Sequence, residues 1–171
     1  MCIIIFNFVV NYYAMSQFVI YLNLPKYLSA WLRNKLGSPV VFPPSSPQNA
    51  IIRAFISRAP KVYTPVIPEG DATPVAIPDS AAKPPEVYNY MSERGKAAVA
   101  EACKDLFLRA LWSDMSPLAE SPVGLNLLIA AWCETNGIDV DSIEAVRQCY
   151  YRIRKDYARK GINLRSRKKK S

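Results

Sequence analysis

The first third of the chain alternates short apolar runs with helical patterns. The β-branched and aromatic run at residues 18–22 predicts a strand. A helix follows, opened by Pro25 and closed by Gly37, and residues 39–42 predict a second short strand. A second helix starts with Ser46-Pro47, a typical N-cap and first-turn pair. Residues 1–59 therefore predict a small strand-helix-strand-helix unit.

Prolines dominate the middle of the chain. Seven of them fall between residues 60 and 85. Proline lacks a backbone N–H, so it disrupts helices and the interior of sheets. We therefore expect residues 60–90 to be a linker or edge strands, with extended segments at 62–67 and 74–77.

The second half has the periodicity of amphipathic helices. Ser92 is placed to cap a helix that reaches about Trp112, and Ser121-Pro122 to begin another that ends at Asn136-Gly137. The fold class predicted for the whole chain is α+β and mostly helical, with a three-helix region at residues 91–161.

The last of these helices has the clearest pattern. Asp141 and Glu144 have the spacing of a capping box, and Gly161 is placed to end the helix. Its apolar stripe follows alternating steps of three and four residues, and is formed by Ile143, Val146, Tyr150, Ile153 and Tyr157. We expect this stripe to pack in the core.

The composition argues against the common catalytic sites. The chain has no histidine, its four cysteines form no C-x-x-C pair, and its six glycines stand alone. The absence of histidine excludes serine-histidine and cysteine-histidine catalysis. The absence of paired cysteines excludes paired-cysteine zinc sites, and the absence of clustered glycines excludes glycine-rich phosphate loops. The carboxylates show no spacing typical of a metal cluster. We therefore predict no enzyme activity, no metal and no cofactor, and reduced cysteines in a cytoplasmic protein.

The N-terminus leaves alternatives open. Residues 1–25 carry no charge. Polar residues interrupt the apolar run well before the ~20 residues that a membrane span needs, and no basic region precedes it. A short buried strand fits this pattern better than a membrane anchor. A third interpretation is that translation begins at Met15, so that residues 1–14 have no structural role.

Charge is concentrated at the C-terminus. The net charge of the 171 residues is +8, yet residues 147–171 alone hold eleven basic residues and one acidic residue. Such asymmetry is typical of a segment that binds a polyanion, most often nucleic acid. We predict that residues 162–171 form a disordered basic tail after the last helix.

The predicted function is non-enzymatic binding of nucleic acid, with DNA the expected form. Lysines and arginines gain sequence-independent affinity by neutralising phosphates. Tyr151 lies outside the apolar stripe and is free to stack on a base. The candidate nucleic-acid-binding residues are Arg147, Tyr151, Arg152, Arg154, Lys155, Arg159, Lys160, Arg165, Arg167, Lys168, Lys169 and Lys170.

Other interpretations of the basic residues remain. The cationic helix face could simply be solvated, as most such faces are. A glycine-bearing turn at residues 136–139 also fits a helix-turn-helix, although Gln148 is the sole amide on the last helix for reading bases. The alternative functions are a protein-interaction or structural module with an acidic partner, and a peripheral membrane protein. The oligomeric state stays open.

Four strings in the chain, VIYLNLPKYLSAWL, EVYNYMSERGKAAV, ALWSDM and GIDVDSIEAVRQCYYRIRKDY, carry a resemblance. Together they resemble a group of small uncharacterised basic proteins from phages and mobile elements of Bacteroides-type bacteria, over residues 15–157. The group has no assigned activity, so the resemblance implies no role for particular residues of this chain. The resemblance implies a cytoplasmic bacterial setting and a role connected with DNA.

Overall fold

The computed structural model of the chain describes residues 18–62 and 70–161. The predictions for residues 1–14, for most of the segment 62–67 and for the tail at 162–171 therefore lie outside the described residues. The described chain is mostly helical with short antiparallel strand pairs, which confirms the predicted α+β class.

The elements follow one another in a simple order. In this order they are β1 (Val19–Leu22), α1 (Lys26–Leu36), α2 (Pro47–Phe55), β2 (Ile56–Ser57), β3 (Thr73–Ala76), β4 (Tyr90–Met91), α3 (Glu93–Met115), α4 (Leu125–Thr135) and α5 (Ile143–Arg159). Short 3₁₀ turns at Ser116–Glu120 and Val140–Ser142 precede α4 and α5.

The chain forms two compact units, and each unit draws on two segments. Of the described residues, the first unit contains 18–23, 38–62 and 70–99, and the second contains 24–37 and 100–161. The regions predicted from the sequence, 1–59 and 91–161, are continuous instead. The difference arises because α1 groups with the C-terminal helices, and local periodicity does not reveal such a distant partner.

Strand β3 organises the first unit. It pairs with β1 in antiparallel register, with Ile20 opposite Val75. On its other side Val40 forms a parallel bridge, donating its N–H to the Pro74 carbonyl at 2.8 Å. The sequence predicts an edge strand or linker at 74–77, and β3 is one strand of a two-stranded sheet whose other edge carries this bridge. Pro74 is tolerated because this bridge uses its carbonyl and the N–H of Ala76, not the missing N–H.

Helix α2 is fixed at both ends by side chains. The Ser46 hydroxyl accepts a hydrogen bond from the Asn49 N–H at 3.2 Å, which confirms the predicted cap. At the other end the Lys83 ammonium donates to the carbonyls of Arg53 and Ile56, at 2.6 and 3.0 Å. A cation on the last carbonyls of a helix satisfies acceptors that have no intrahelical partner.

Phe107 of α3 lies at the centre of the second unit. The rings of Tyr27 and Trp31 on α1 lie 5.1 and 5.4 Å from it, and that of Trp132 on α4 lies 5.8 Å away. The Trp132 indole N–H also donates to the Asp114 carboxylate at 2.9 Å. Aromatic rings at these separations stabilise beyond the area that they bury. This cluster holds α1, α3 and α4 together.

Two helix starts differ from the prediction. Helix α4 begins at Leu125, because Ser121 uses its hydroxyl to accept from the Val123 N–H in a preceding turn. The capping box predicted on α5 is wrong as well. Ser142 occupies the N-cap without a side-chain bond, and Glu144 turns towards Gln148, whose amide donates to it at 2.8 Å.

Candidate nucleic-acid interface

Helix α5 is anchored through its N-terminal half. Val146, Cys149 and Tyr150 are buried there, and the Cys149 thiol lies 3.6 Å from the Tyr27 hydroxyl of α1. Farther along, Ile153 and Tyr157 are only partly buried. Ile143, at the start of the helix, is partly buried as well. The predicted packing of the stripe in the core therefore holds fully for Val146 and Tyr150 and in part for the other three residues.

The basic residues of α5 form two rows, one at the flank of the buried side and one on the exposed side of the helix. At ~100° per residue, positions seven apart lie almost in line along a helix. Arg147 and Arg154 form one row, Arg152 and Arg159 form the other, and Lys155 lies between the rows. We call these five residues the basic face. Lys160 lies just beyond the helix end and outside this face.

The residues of the basic face differ in exposure. Arg152, Lys155 and Arg159 are exposed, whereas Arg147 and Arg154 are partly buried. Arg147 forms an ion pair with Glu144, and Arg159 lies 3.6 Å from the Asp156 carboxylate. Exposed ion pairs of this kind contribute ~1 kcal/mol or less, so they leave the arginines available to stronger anions.

Tyr151 lies beside the basic face, as the sequence predicts. Its side chain is 42% exposed, and its hydroxyl lies 3.4 Å from the Asn126 side-chain oxygen on α4. Its ring meets that of buried Tyr150 at 65°, with 6.2 Å between the centroids. The remaining predicted contacts lie outside the described residues and are Arg165, Arg167, Lys168, Lys169 and Lys170.

A cleft between α3 and α5 was not predicted from the sequence. Its volume is about 370 Å³. Its lining residues come from both helices and from the residue that follows α5, and are Asp105, Leu108, Arg109, Ile153, Asp156, Tyr157 and Lys160. We call it the α3–α5 cleft. Asp156 connects it to the basic face, since its carboxylate both lines the cleft and pairs with Arg159.

Two pairs of oppositely charged residues that line the cleft have a spacing in the sequence that usually indicates a different arrangement. Asp105 precedes Arg109 by four residues, and Asp156 precedes Lys160 by four. This spacing usually indicates an ion pair along one helix surface. Neither ion pair forms in the described part of the chain. The four charged groups instead border the space between the helices.

A second, more apolar groove lies along α4 and the turn before α5. Leu127 and Val140 are 70% and 80% exposed there. Ala130, Ala131 and Ile143 continue the apolar lining, and Glu134 also lines the groove. Large exposed apolar side chains grouped on one surface are typical of protein contacts.

The buried thiols show no sign of activation. Burial raises the pKa of Cys103 to about 12 and that of Cys133 to about 11. The pKa of the Tyr27 hydroxyl is raised too, first by burial and then by its contact with Cys149. Because a thiol needs its thiolate form to act as a nucleophile, these groups are inert near neutral pH.

Two further features bear on the kind of site. Within residues 18–62 and 70–161, no group of three or more potential ligand side chains is placed to hold a metal ion. None of the helices described here has the length and apolar character that crossing a bilayer requires.

No family model, curated protein or solved structure significantly matches the chain. The resemblance to proteins of phages and mobile elements therefore stays a prediction.

Proposed function

We propose that this protein is a non-enzymatic nucleic-acid-binding protein that contacts phosphates through the basic face of α5 and the basic residues that follow it. One observation carries the proposal. The buried side of α5 anchors the helix, while Arg152, Lys155 and Arg159 are exposed on its other side. A fixed row of cations gains affinity from every phosphate that it neutralises, whatever the sequence of the nucleic acid.

A salt titration tests this proposal. We expect binding to DNA to weaken steeply with salt, with a log-log slope of about −0.9 per duplex phosphate contacted and about −0.7 per phosphate of a single strand. Changing Arg152, Lys155 and Arg159 together to Gln should flatten the slope. Deleting residues 162–171 should flatten it further, because five more cations are lost.

A matched variant separates the basic face from overall charge. Lys35→Gln, Lys61→Gln and Arg94→Gln also remove three exposed cations, none of them on α5. This control should keep the salt slope of the parent protein. The proposal fails if no binding is detected at low salt, or if the two triple variants behave alike.

A second candidate function is a protein-interaction module whose basic face meets an acidic partner. The exposed apolar side chains of Leu127 and Val140 favour it. Polyglutamate distinguishes the two functions. We expect it to bind more weakly than single-stranded DNA of equal charge, because it carries no bases to stack on Tyr151. Tighter binding of polyglutamate would favour the second candidate.

A further inference from the structure

The α3–α5 cleft combines features that the basic face lacks. Leu108 and Ile153 give it apolar surface, and Tyr157 adds an aromatic ring. That ring is held by Trp112, against which it stacks with 4.3 Å between the centroids and 21° between the planes. A flat apolar ligand gains affinity from such a preformed surface, because little side-chain freedom is lost on binding.

Three of the four charged groups of the cleft are exposed and form no ion pair within the described residues. In the described part of the chain, no ion pair joins Asp105, Arg109 or Lys160 to another residue. The cleft therefore presents carboxylate acceptors and cationic donors close to an aromatic ring. A ligand that suits it is flat, carries a donor beside an acceptor, and bears a negative charge.

A nucleotide with an amino-bearing base has these properties. The amino group of cytosine is a donor suited to a carboxylate, and its ring carries acceptors next to that group. Its phosphate suits arginine or lysine. Thymine has a carbonyl oxygen in place of the amino group, and a carboxylate repels it.

We propose that the α3–α5 cleft binds one unpaired nucleotide with an amino-bearing base. Asp105 accepts from the amino group, Tyr157 contributes ring surface, and Arg109 and Lys160 contact the adjacent phosphate. This inference rests on the proposed function and refines it. The rest of the strand continues onto the basic face past Asp156, which belongs to the border of both.

The size of the cleft supports single-stranded nucleic acid. A volume of about 370 Å³ lies at the small end of the range for ligand clefts, roughly 300–1,000 Å³. It has room for one nucleotide and not for a base pair with both backbones. A base in a duplex would first have to leave its stack, at a cost in free energy.

Two labelled oligonucleotides of equal length, oligo(dC) and oligo(dT), test this inference by fluorescence anisotropy. We expect the full-length protein to bind oligo(dC) about fivefold more tightly, which corresponds to one hydrogen bond. Asp105→Asn should abolish that preference, since an amide also donates and therefore suits the thymine carbonyl. The ratio of the two affinities is the readout, because a change in overall charge affects both oligonucleotides alike.

Asp141→Asn is the matched control. It removes the same charge from an exposed position in the turn before α5, outside the cleft, and should leave the ratio unchanged. Equal affinities for both oligonucleotides in the parent protein, a ratio that survives Asp105→Asn, or tighter binding of duplex DNA would each overturn the cleft assignment while the proposed function stands. Absence of binding to any nucleic acid would overturn both.

Discussion

The phenol ring of Tyr157 stacks on the indole ring of Trp112, with their centroids 4.3 Å apart. Because Trp112 also stacks on buried Tyr150, at 6.1 Å, the three rings connect the outer half of α5 to the core. Tyr157→Phe should leave the free energy of unfolding within about 0.5 kcal/mol of the parent value. Tyr157→Ala should lower it by about 1 to 3 kcal/mol, since the side chain is partly buried. Urea unfolding followed by tryptophan fluorescence measures both, and equal stability of the two variants would contradict the stacking argument.

The hydroxyl group of Tyr150 gives a second prediction. It is buried, and no described residue supplies it with a hydrogen-bond partner. Tyr150→Phe should therefore be neutral or stabilise the fold by up to about 1 kcal/mol, because an unsatisfied polar group is removed. Tyr150→Ala should cost about 3 to 5 kcal/mol, as ring truncations in cores do. A clear loss of stability in the phenylalanine variant would show that the hydroxyl has a partner after all.

Gly137 gives a third prediction. Its φ is +68°, and a Cβ there would lie 2.8 Å from the Asn34 side-chain nitrogen. Gly137→Ala should cost about 1 to 2 kcal/mol for the left-handed backbone alone, and more for the contact. Adding Asn34→Ala should recover only the part of the stability loss that comes from the contact with Asn34. Thermal unfolding of the single and double variants measures this, and identical melting temperatures would show that Asn34 moves aside freely.

Because the thiols are buried, we expect the protein to lose stability at alkaline pH. Burial holds the pKa of Cys133 at about 11, above its ordinary value near 9. The contribution of this thiol to the free energy of unfolding is complete below pH 9. It is lost between about pH 9 and 11, because the unfolded chain releases the thiol proton there and the folded chain keeps it. The slope from one such thiol approaches about 1.4 kcal/mol per pH unit. Cys133→Ala should flatten the fall in the free energy of unfolding over this range, and an unchanged slope would contradict it.

Local features of the fold could be predicted from the sequence. Pro25 and Gly37 bound α1 as expected, with Gly37 at φ 83°, and Ser46 caps α2. Helix-capping signals act over four or five residues, so the local sequence is sufficient to predict where these helices begin and end. The basic face also follows from helical periodicity once the buried side of α5 is known.

Contacts between distant segments could not be predicted in this way. Asp105 and Asp156 line the same cleft because α3 packs beside α5. The sequence around either residue does not indicate that the other lies nearby. Trp31 and Phe107 are likewise 76 positions apart. Hydrophobic periodicity shows which side of a helix is buried but not which helix covers it.

The place of α1 in the sequence has a consequence for synthesis. Tyr27 and Trp31 leave the ribosome long before Phe107, the ring that they contact in the folded protein. At ~5 to 20 residues per second, the apolar side of α1 waits roughly 4 to 15 s for its partner. An isolated helix of 11 residues is only marginally stable in water. The nascent chain therefore carries two exposed aromatic rings during this interval, and a chaperone that binds short apolar segments would find its target there.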